Sequence, residues 1–287
     1  MTVSSFFVSQ RARLLVMTFL SLLAFAANPV LCRAALRDTG IDPASFTLIR
    51  IVAGAATLWL ILTLRGEPYA RATNWSGAIL LFVYAGTLSY AYVWLDAGIG
   101  TLLLFGAVQG TMISTGVAQG ERLNLRQVVG VGVAVLGLLV LLAPGATAPT
   151  WHGAVLMVMS GLAWGIYSLM GRRGSRPLAT TATNFLKASA LAGVLSLLTV
   201  KWAAWDLRGA AYALASGSIS SGIGYAIWYS ILPVLRATDA AIVQLSVPAI
   251  TAMAGIVFLA ESLTLRLASA SIAIVGGVAL VFVDRGR

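Results

Sequence analysis

Glu121–Arg126 reads ERLNLR and Glu261–Arg266 reads ESLTLR: an acid, a short polar and leucine-bearing turn, and an arginine, written twice 140 positions apart. A glycine-rich apolar run follows each copy, QVVGVGVAVLGLLVLL from Gln127 and LASASIAIVGGVALVF from Leu267. Apolar runs resemble one another by composition alone, but acids and arginines at matched positions do not. The two hinges therefore mark a duplicated unit.

Further matches extend outward from them. LAFAANPVLCR (Leu23–Arg33) lies over LAWGIYSLMGR (Leu162–Arg172) at an offset of 139, and Arg50 lies over Lys187 at 137. YAYVWLDAGIGTLLLFGAVQ lies over YAIWYSILPVLRATDAAIVQ at 135, which pairs Gln109 with Gln244. The smaller offset of this last match forces a five-residue gap inside one of the two segments.

The whole chain is unusually apolar. Of its 287 residues 59% are hydrophobic and 10% charged, with a mean hydropathy of +0.92, whereas soluble domains carry about a quarter charged residues. Polar breaks divide it into ten apolar segments, near 14–34, 44–64, 76–96, 99–120, 127–143, 151–171, 180–200, 209–231, 238–259 and 267–283. About 20 residues of helix cross a bilayer, and a spanning segment in lipid must satisfy its own backbone, which favours helix. The expectation is an all-α membrane protein of ten transmembrane helices. Ala24-Phe25-Ala26 mimics a signal cleavage site, yet the apolar run continues to Leu31, so a retained first helix is expected.

Basic residues set the direction. With both ends inside, the inner loops and termini hold 12 arginines and the outer loops 5 basic residues, leaving Arg50 and Lys187 within segments. That bias places both termini in the cytoplasm, and it explains the net charge of +10 without nucleic acid. Five is odd, so two five-helix units, 1–145 and 146–287, must run in opposite directions: an inverted repeat, with a solute site between the halves near the midplane. Single copies of histidine and cysteine, His152 and Cys32, leave thin means for catalysis or for a metal centre. No enzyme activity and no cofactor are expected.

Candidate site residues fall in two groups. Arg50 and Lys187 are cations inside apolar segments; they either attract an anionic group or reach an interface along their aliphatic stems. The others are aromatic and amide side chains: Asn28; Tyr84, Tyr90 and Trp94; Gln109; Trp164 and Tyr167; Asn184; Tyr225 and Trp228; and Gln244. Tyr90 and Trp94, four apart, would share a helix face. Such a set fits an aromatic-walled pocket with a few polar groups; interfacial anchoring is the competing role for the aromatics. The small-residue runs Gly130–Gly137 and Ser269–Gly277 offer close-approach faces, for a dimer contact or, as expected here, for packing against their own halves.

Pro248, Glu261 thirteen residues later, the SLTL after it and Gly276-Gly277 resemble the drug/metabolite transporter superfamily in its ten-helix EamA form, as does Trp164-Gly165. The first half departs from that pattern, with Val108 where the proline would stand and Phe25-Ala26 in place of Trp-Gly. The resemblance implies a transporter, and the aromatic-rich third, sixth and eighth segments are most similar to bacterial inner-membrane exporters of aromatic and other neutral amino acids. With both halves on one chain, a monomer in the lipid bilayer is expected, with an amino acid as its partner. Sugar phosphates or nucleotide sugars, carried by other members, would need more cations than Arg50 and Lys187. Small multidrug-resistance pumps, distant relatives, rely on a first-helix glutamate; this chain has none there. A receptor or scaffold is the reading outside transport.

Overall fold

The computed structural model describes residues 3–68, 74–120, 122–145, 148–171, 176–235 and 243–283. Among these residues every regular element is helical. They are α1 (Val3–Asp38), α2 (Pro43–Leu64), α3 (Trp75–Ala91), α4 (Ala97–Ala118), α5 (Leu125–Leu142), α6 (Trp151–Gly171), α7 (Pro177–Leu198), α8 (207–231), α9 (Ser246–Leu259) and α10 (Leu265–Val283), with a 3-10 turn at Val200–Trp202. Helix α8 is a composite: α-helical over Leu207–Ala215, π-helical over Ser216–Ile223, and α-helical again over Gly224–Ile231.

Local chemistry sets the ends. Asp42 accepts hydrogen bonds from the Ala44 and Ser45 amides at the start of α2, with Pro43 in the first turn where its missing N–H costs nothing. Gly66, at φ 64°, turns the chain away after α2. The polar residue of each hinge is a helix cap. Asn124 forms a reciprocal capping box with Gln127 at the start of α5, and Thr264 accepts from the Leu267 amide at the start of α10.

Among the described residues six helices are long and apolar enough to cross a membrane: α2, α4, α5, α6, α7 and the part of α1 from Ala12. Helices α3, α9 and α10 are shorter apolar elements. Their outward faces are greasy: Leu136 and Leu139 on α5, Leu197 and Leu198 on α7, and Val257 and Phe258 on α9 are all exposed. An apolar surface of this extent is matched by lipid rather than water.

The packing repeats itself. Helix α3 packs on α6 as α1 packs on α8; α4 on α6 as α1 on α9; α2 on α8 as α3 on α7. The pairs α2–α7, α4–α9 and α5–α10 each join one helix of 1–145 to one of 146–287. Exchanging α1–α5 with α6–α10 therefore returns these principal contacts.

The small-residue runs pack differently from expectation. They face each other across the halves rather than their own half: a Cβ on Gly130 would strike the Gly277 carbonyl, and one on Gly137 would crowd Ala273 and Ile274. Without side chains there, the α5 and α10 backbones approach closely enough for dense van der Waals contact. Gln127 donates to the Val281 carbonyl near the end of α10, and Arg266 to the Ala143 carbonyl just after α5, so each helix of the pair closes the other's terminus.

Candidate functional site

Six helices deliver side chains to one buried centre. Pro29 inside α1 has no amide to offer the carbonyl a turn earlier, and the Asn28 side chain beside it is 7% exposed. Its Oδ1 accepts from Ser216 Oγ at 2.7 Å, and its Nδ2 stands 3.5 Å from Tyr84 Oη. Ser216 opens the π-helical part of α8, and a widened turn of that kind is a frequent mark of a functional position. Gly217 next to it has no room for a side chain, because a Cβ would collide with the Arg50 carbonyl of α2.

Aromatic rings wall this centre. Trp164 of α6 lies 4.7 Å from Tyr84 of α3, 5.4 Å from Tyr167 and 5.7 Å from Tyr225 of α8, centroid to centroid. Tyr225 in turn meets Phe25, Phe185 and Tyr229, and Trp228 joins through Phe25 at 5.8 Å. Ring pairs at these spacings add about 0.5–1.5 kcal/mol each beyond burial. A polar thread runs beside them. Asn184 Nδ2 donates to Tyr167 Oη at 3.3 Å, Tyr167 Oη donates to Thr181 Oγ1 at 3.2 Å, and Thr181 Oγ1 meets Tyr229 Oη at 3.2 Å.

Tyr229 also lines a cavity of about 200 Å³ that opens at one end of the bundle, among Arg65, Glu67, Arg176 and Pro177. At the opposite end the halves are hydrogen-bonded to each other. The Asp42 amide donates to the Ala204 carbonyl, and the Ala204 amide returns a bond to Asp42 Oδ2, each at 3.1 Å. Beside it, Glu261 Oε1 accepts from the Ala97 amide at 2.8 Å. Arg33 donates to the Tyr92 and Val93 carbonyls and pairs with Asp96 at 3.2 Å.

Arg50 is the most unusual group in the centre. It is 3% exposed, with its Cζ 6.0 Å from the Tyr84 ring centroid, and its Nη1 has no hydrogen-bond partner. No described carboxylate lies within 4 Å of it, the ion pairs being Arg33–Asp96, Arg33–Glu261, Arg37–Asp38 and Arg65–Glu67. A buried cation without a counter-charge costs several kcal/mol, so the interface-seeking role weighed for Arg50 fails: its head is inside the protein.

Of the residues singled out in the sequence, the structure brings together Asn28, Tyr84, Trp164, Tyr167, Asn184, Tyr225, Trp228 and Arg50. Others stand apart. Trp94 shares no helix face with Tyr90, because α3 ends at Ala91 once Arg33 takes the Tyr92 and Val93 carbonyls; Trp94 is 48% exposed, with its ring tilted 6.2 Å from that of His152. Tyr90 is half-buried nearer the Asp42 end. Gln109 lines a separate groove of about 70 Å³ between α4, α5 and α10. Gln244 is half-buried just before α9. Lys187 lies over the Trp75 ring at 5.3 Å. Since Trp75 and Tyr84 are nine residues apart on α3, about 13 Å along its axis, Arg50 and Lys187 do not share one ligand group.

Sequence reasoning missed Ser216 and Thr181, which carry no mark beyond a hydroxyl, and it placed Arg33 in a loop. Glu261 was seen as a repeat marker rather than as the acceptor for α4. Glu121, its partner in the first hinge, lies outside the described residues.

Known proteins resemble this chain in sequence and fold. A protein of Pseudomonas aeruginosa described as uncharacterized is 52% identical over 274 residues, covering 95% of this chain and 96% of its own. An uncharacterized transporter of Archaeoglobus fulgidus is 26% identical over 69% of this chain and 72% of its own, and the uncharacterized transporter YoaV of Bacillus subtilis 20% over 83% and 86%. A solved crystal structure superposes with a TM-score of 0.68 at 21% identity, covering 94% of this chain and 96% of the other, which shows the fold. The EamA-like transporter family matches twice, over residues 12–143 and 151–283. Two copies of one helical unit around a buried aromatic centre thus have their place: the chain belongs to the EamA-like transporter family.

Proposed function

We propose that this transporter carries aromatic and other neutral amino acids out of the cytoplasm by alternating access. The single observation that supports it most is the aromatic and amide centre built from both halves, with Tyr84 and Asn28 on one side and Trp164, Tyr225 and Asn184 on the other. Flat rings accept an apolar or aromatic side chain, while amides and hydroxyls meet a zwitterionic head.

In this reading the chain makes ten crossings as two inverted five-helix units, 1–145 and 146–287. It acts as a monomer in a bacterial inner membrane with both termini in the cytoplasm. The Arg65–Arg176 cavity then faces the cytoplasm, and the Asp42–Ala204 end is the closed outer side. Solute enters along Tyr229, and rocking of the halves opens the outer end. A phosphorylated metabolite is less well supported, because Arg50 of α2 and Lys187 of α7 lie against rings at different levels of α3.

Counterflow in proteoliposomes tests the proposal: vesicles loaded with one unlabelled neutral amino acid should accumulate a trace of a labelled one without an ion gradient. Trp164→Ala, which removes three ring neighbours, should slow this by roughly tenfold, equivalent to about 1.4 kcal/mol. Trp94→Ala should leave it unchanged. Folded wild-type protein that exchanges no amino acid would sink the proposal.

A further inference from the structure

We infer that Arg50 is the internal anion site of this carrier, the group that receives the carboxylate of the transported solute; the inference rests on the amino-acid reading above. Arg33 supplies the contrast. It is about as buried as Arg50, at 8% against 3% exposure. Yet its guanidinium meets two backbone carbonyls, Asp96 at 3.2 Å and Glu261 at 3.9 Å, so protein groups balance its charge. Around Arg50 the described chain offers no carboxylate, and Nη1 is left without an acceptor. Its neighbours are the Tyr84 ring and the Cys32 thiol.

A buried guanidinium is retained where an anion completes it, and a carboxylate is the planar acceptor that matches its fork of donors. The position suits such a ligand. Arg50 is seven residues into α2, about 10 Å along the helix from Pro43, inside the bundle rather than at its rim. The Tyr84 ring over which it lies is also the ring that packs on Trp164 and whose hydroxyl faces Asn28. A carboxylate on Arg50 therefore leaves the rest of the solute against the Trp164 and Tyr225 faces. Its backbone is held in place by Gly217, which α8 presents directly to the Arg50 carbonyl.

The chemical class follows. Free acids are ligands; the corresponding amides and amines, which carry no anion, are not. We would measure thermal stability in detergent and inhibition of counterflow for wild type, Arg50→Gln and Arg50→Lys. The probes are L-phenylalanine, 3-phenylpropionate, L-phenylalaninamide, phenethylamine and inorganic phosphate.

For wild type, the two carboxylates should protect and inhibit at concentrations roughly tenfold below the amide and the amine. Arg50→Gln should match or exceed the unliganded midpoint of wild type, since it removes an unbalanced charge, and should lose that tenfold preference. Arg50→Lys should retain part of it. Arg50→Gln that melts lower while keeping the preference for acids would overturn the inference and make Arg50 structural. Protection by phosphate but by neither carboxylate would overturn the assigned class. If wild type exchanges no amino acid but 3-phenylpropionate protects it through Arg50, the anion site stands and the amino-acid reading falls. If wild type and Arg50→Gln exchange amino acids alike, the reading stands and the site falls.

Discussion

Glu261 belongs to the short connection between α9 and α10, yet its side chain is only 5% exposed and takes the Ala97 amide at 2.8 Å. A carboxylate there answers the unsatisfied amides and positive end of α4. Burial nevertheless pushes the Glu261 carboxyl above the usual glutamate range, with the Ala97 amide pulling in the opposite sense. The consequence has a sign. The unfolded chain releases this proton at the ordinary glutamate pH, while the folded protein keeps it to higher pH. Between those values the folded state binds more protons, so Glu261 lowers stability as pH rises through the window, and its contribution is level above it. The midpoint of wild type relative to Glu261→Gln should fall across that interval in a scan from about pH 4 to 8. A rise instead would mean that Glu261 is stabilised mainly as an anion. None of this was legible in the sequence, where Glu261 and Arg33 stood at segment ends and read as loop charges. Their burial depends on a contact spanning 164 positions between Ala97 and Glu261, which no local pattern encodes.

Helix boundaries were far more legible than side-chain partners. Lipid demands an unbroken apolar run, so each polar break is a boundary: the segment expected at 151–171 is α6 as found, and 44–64 differs from α2 by one residue. The exceptions have physical causes. The third apolar segment runs to residue 96, but α3 stops at Ala91 because Arg33 takes the carbonyls beyond it. The π-helical part of α8 was invisible, although SGSISSGI contains the small residues that permit it. Gly217→Ala would drive a methyl into the Arg50 carbonyl, where backbone cannot yield as a side-chain tip can. Overpacking of this kind costs about 1–3 kcal/mol. Gly193→Ala in α7 has open space around it and should gain up to about 1 kcal/mol from helix propensity. Thermal or denaturant unfolding of the two variants should show opposite shifts. Equal shifts would mean that α8 relaxes freely and that its π turn is not held by α2.

For the molecule as a whole, the exchange symmetry of the packing turns on what joins the halves at each end. At the Asp42 end they are joined by one backbone bond and one bond to the Asp42 carboxylate; at the Arg65 end they leave a cavity. A carrier that rocks must break the first set and close the second. The Asp42 amide meets the Ala204 carbonyl directly, at 3.1 Å, so cysteines at these two positions place their thiols side by side across the halves. Asp42→Cys with Ala204→Cys, in a Cys32→Ala background, should therefore cross-link under oxidation and hold that end shut. Asp42→Cys also removes the cap of α2, a cost of about 1 kcal/mol, so Asp42→Cys alone in the same background is the control. Oxidation should abolish counterflow in the paired variant, a reductant should restore it, and the control should respond to neither. A cross-linked protein that transports at the unlinked rate would mean that solute never passes the Asp42 end. The halves would then not rock about the Trp164–Tyr84 centre, and the buried aromatic cluster would be packing rather than a path.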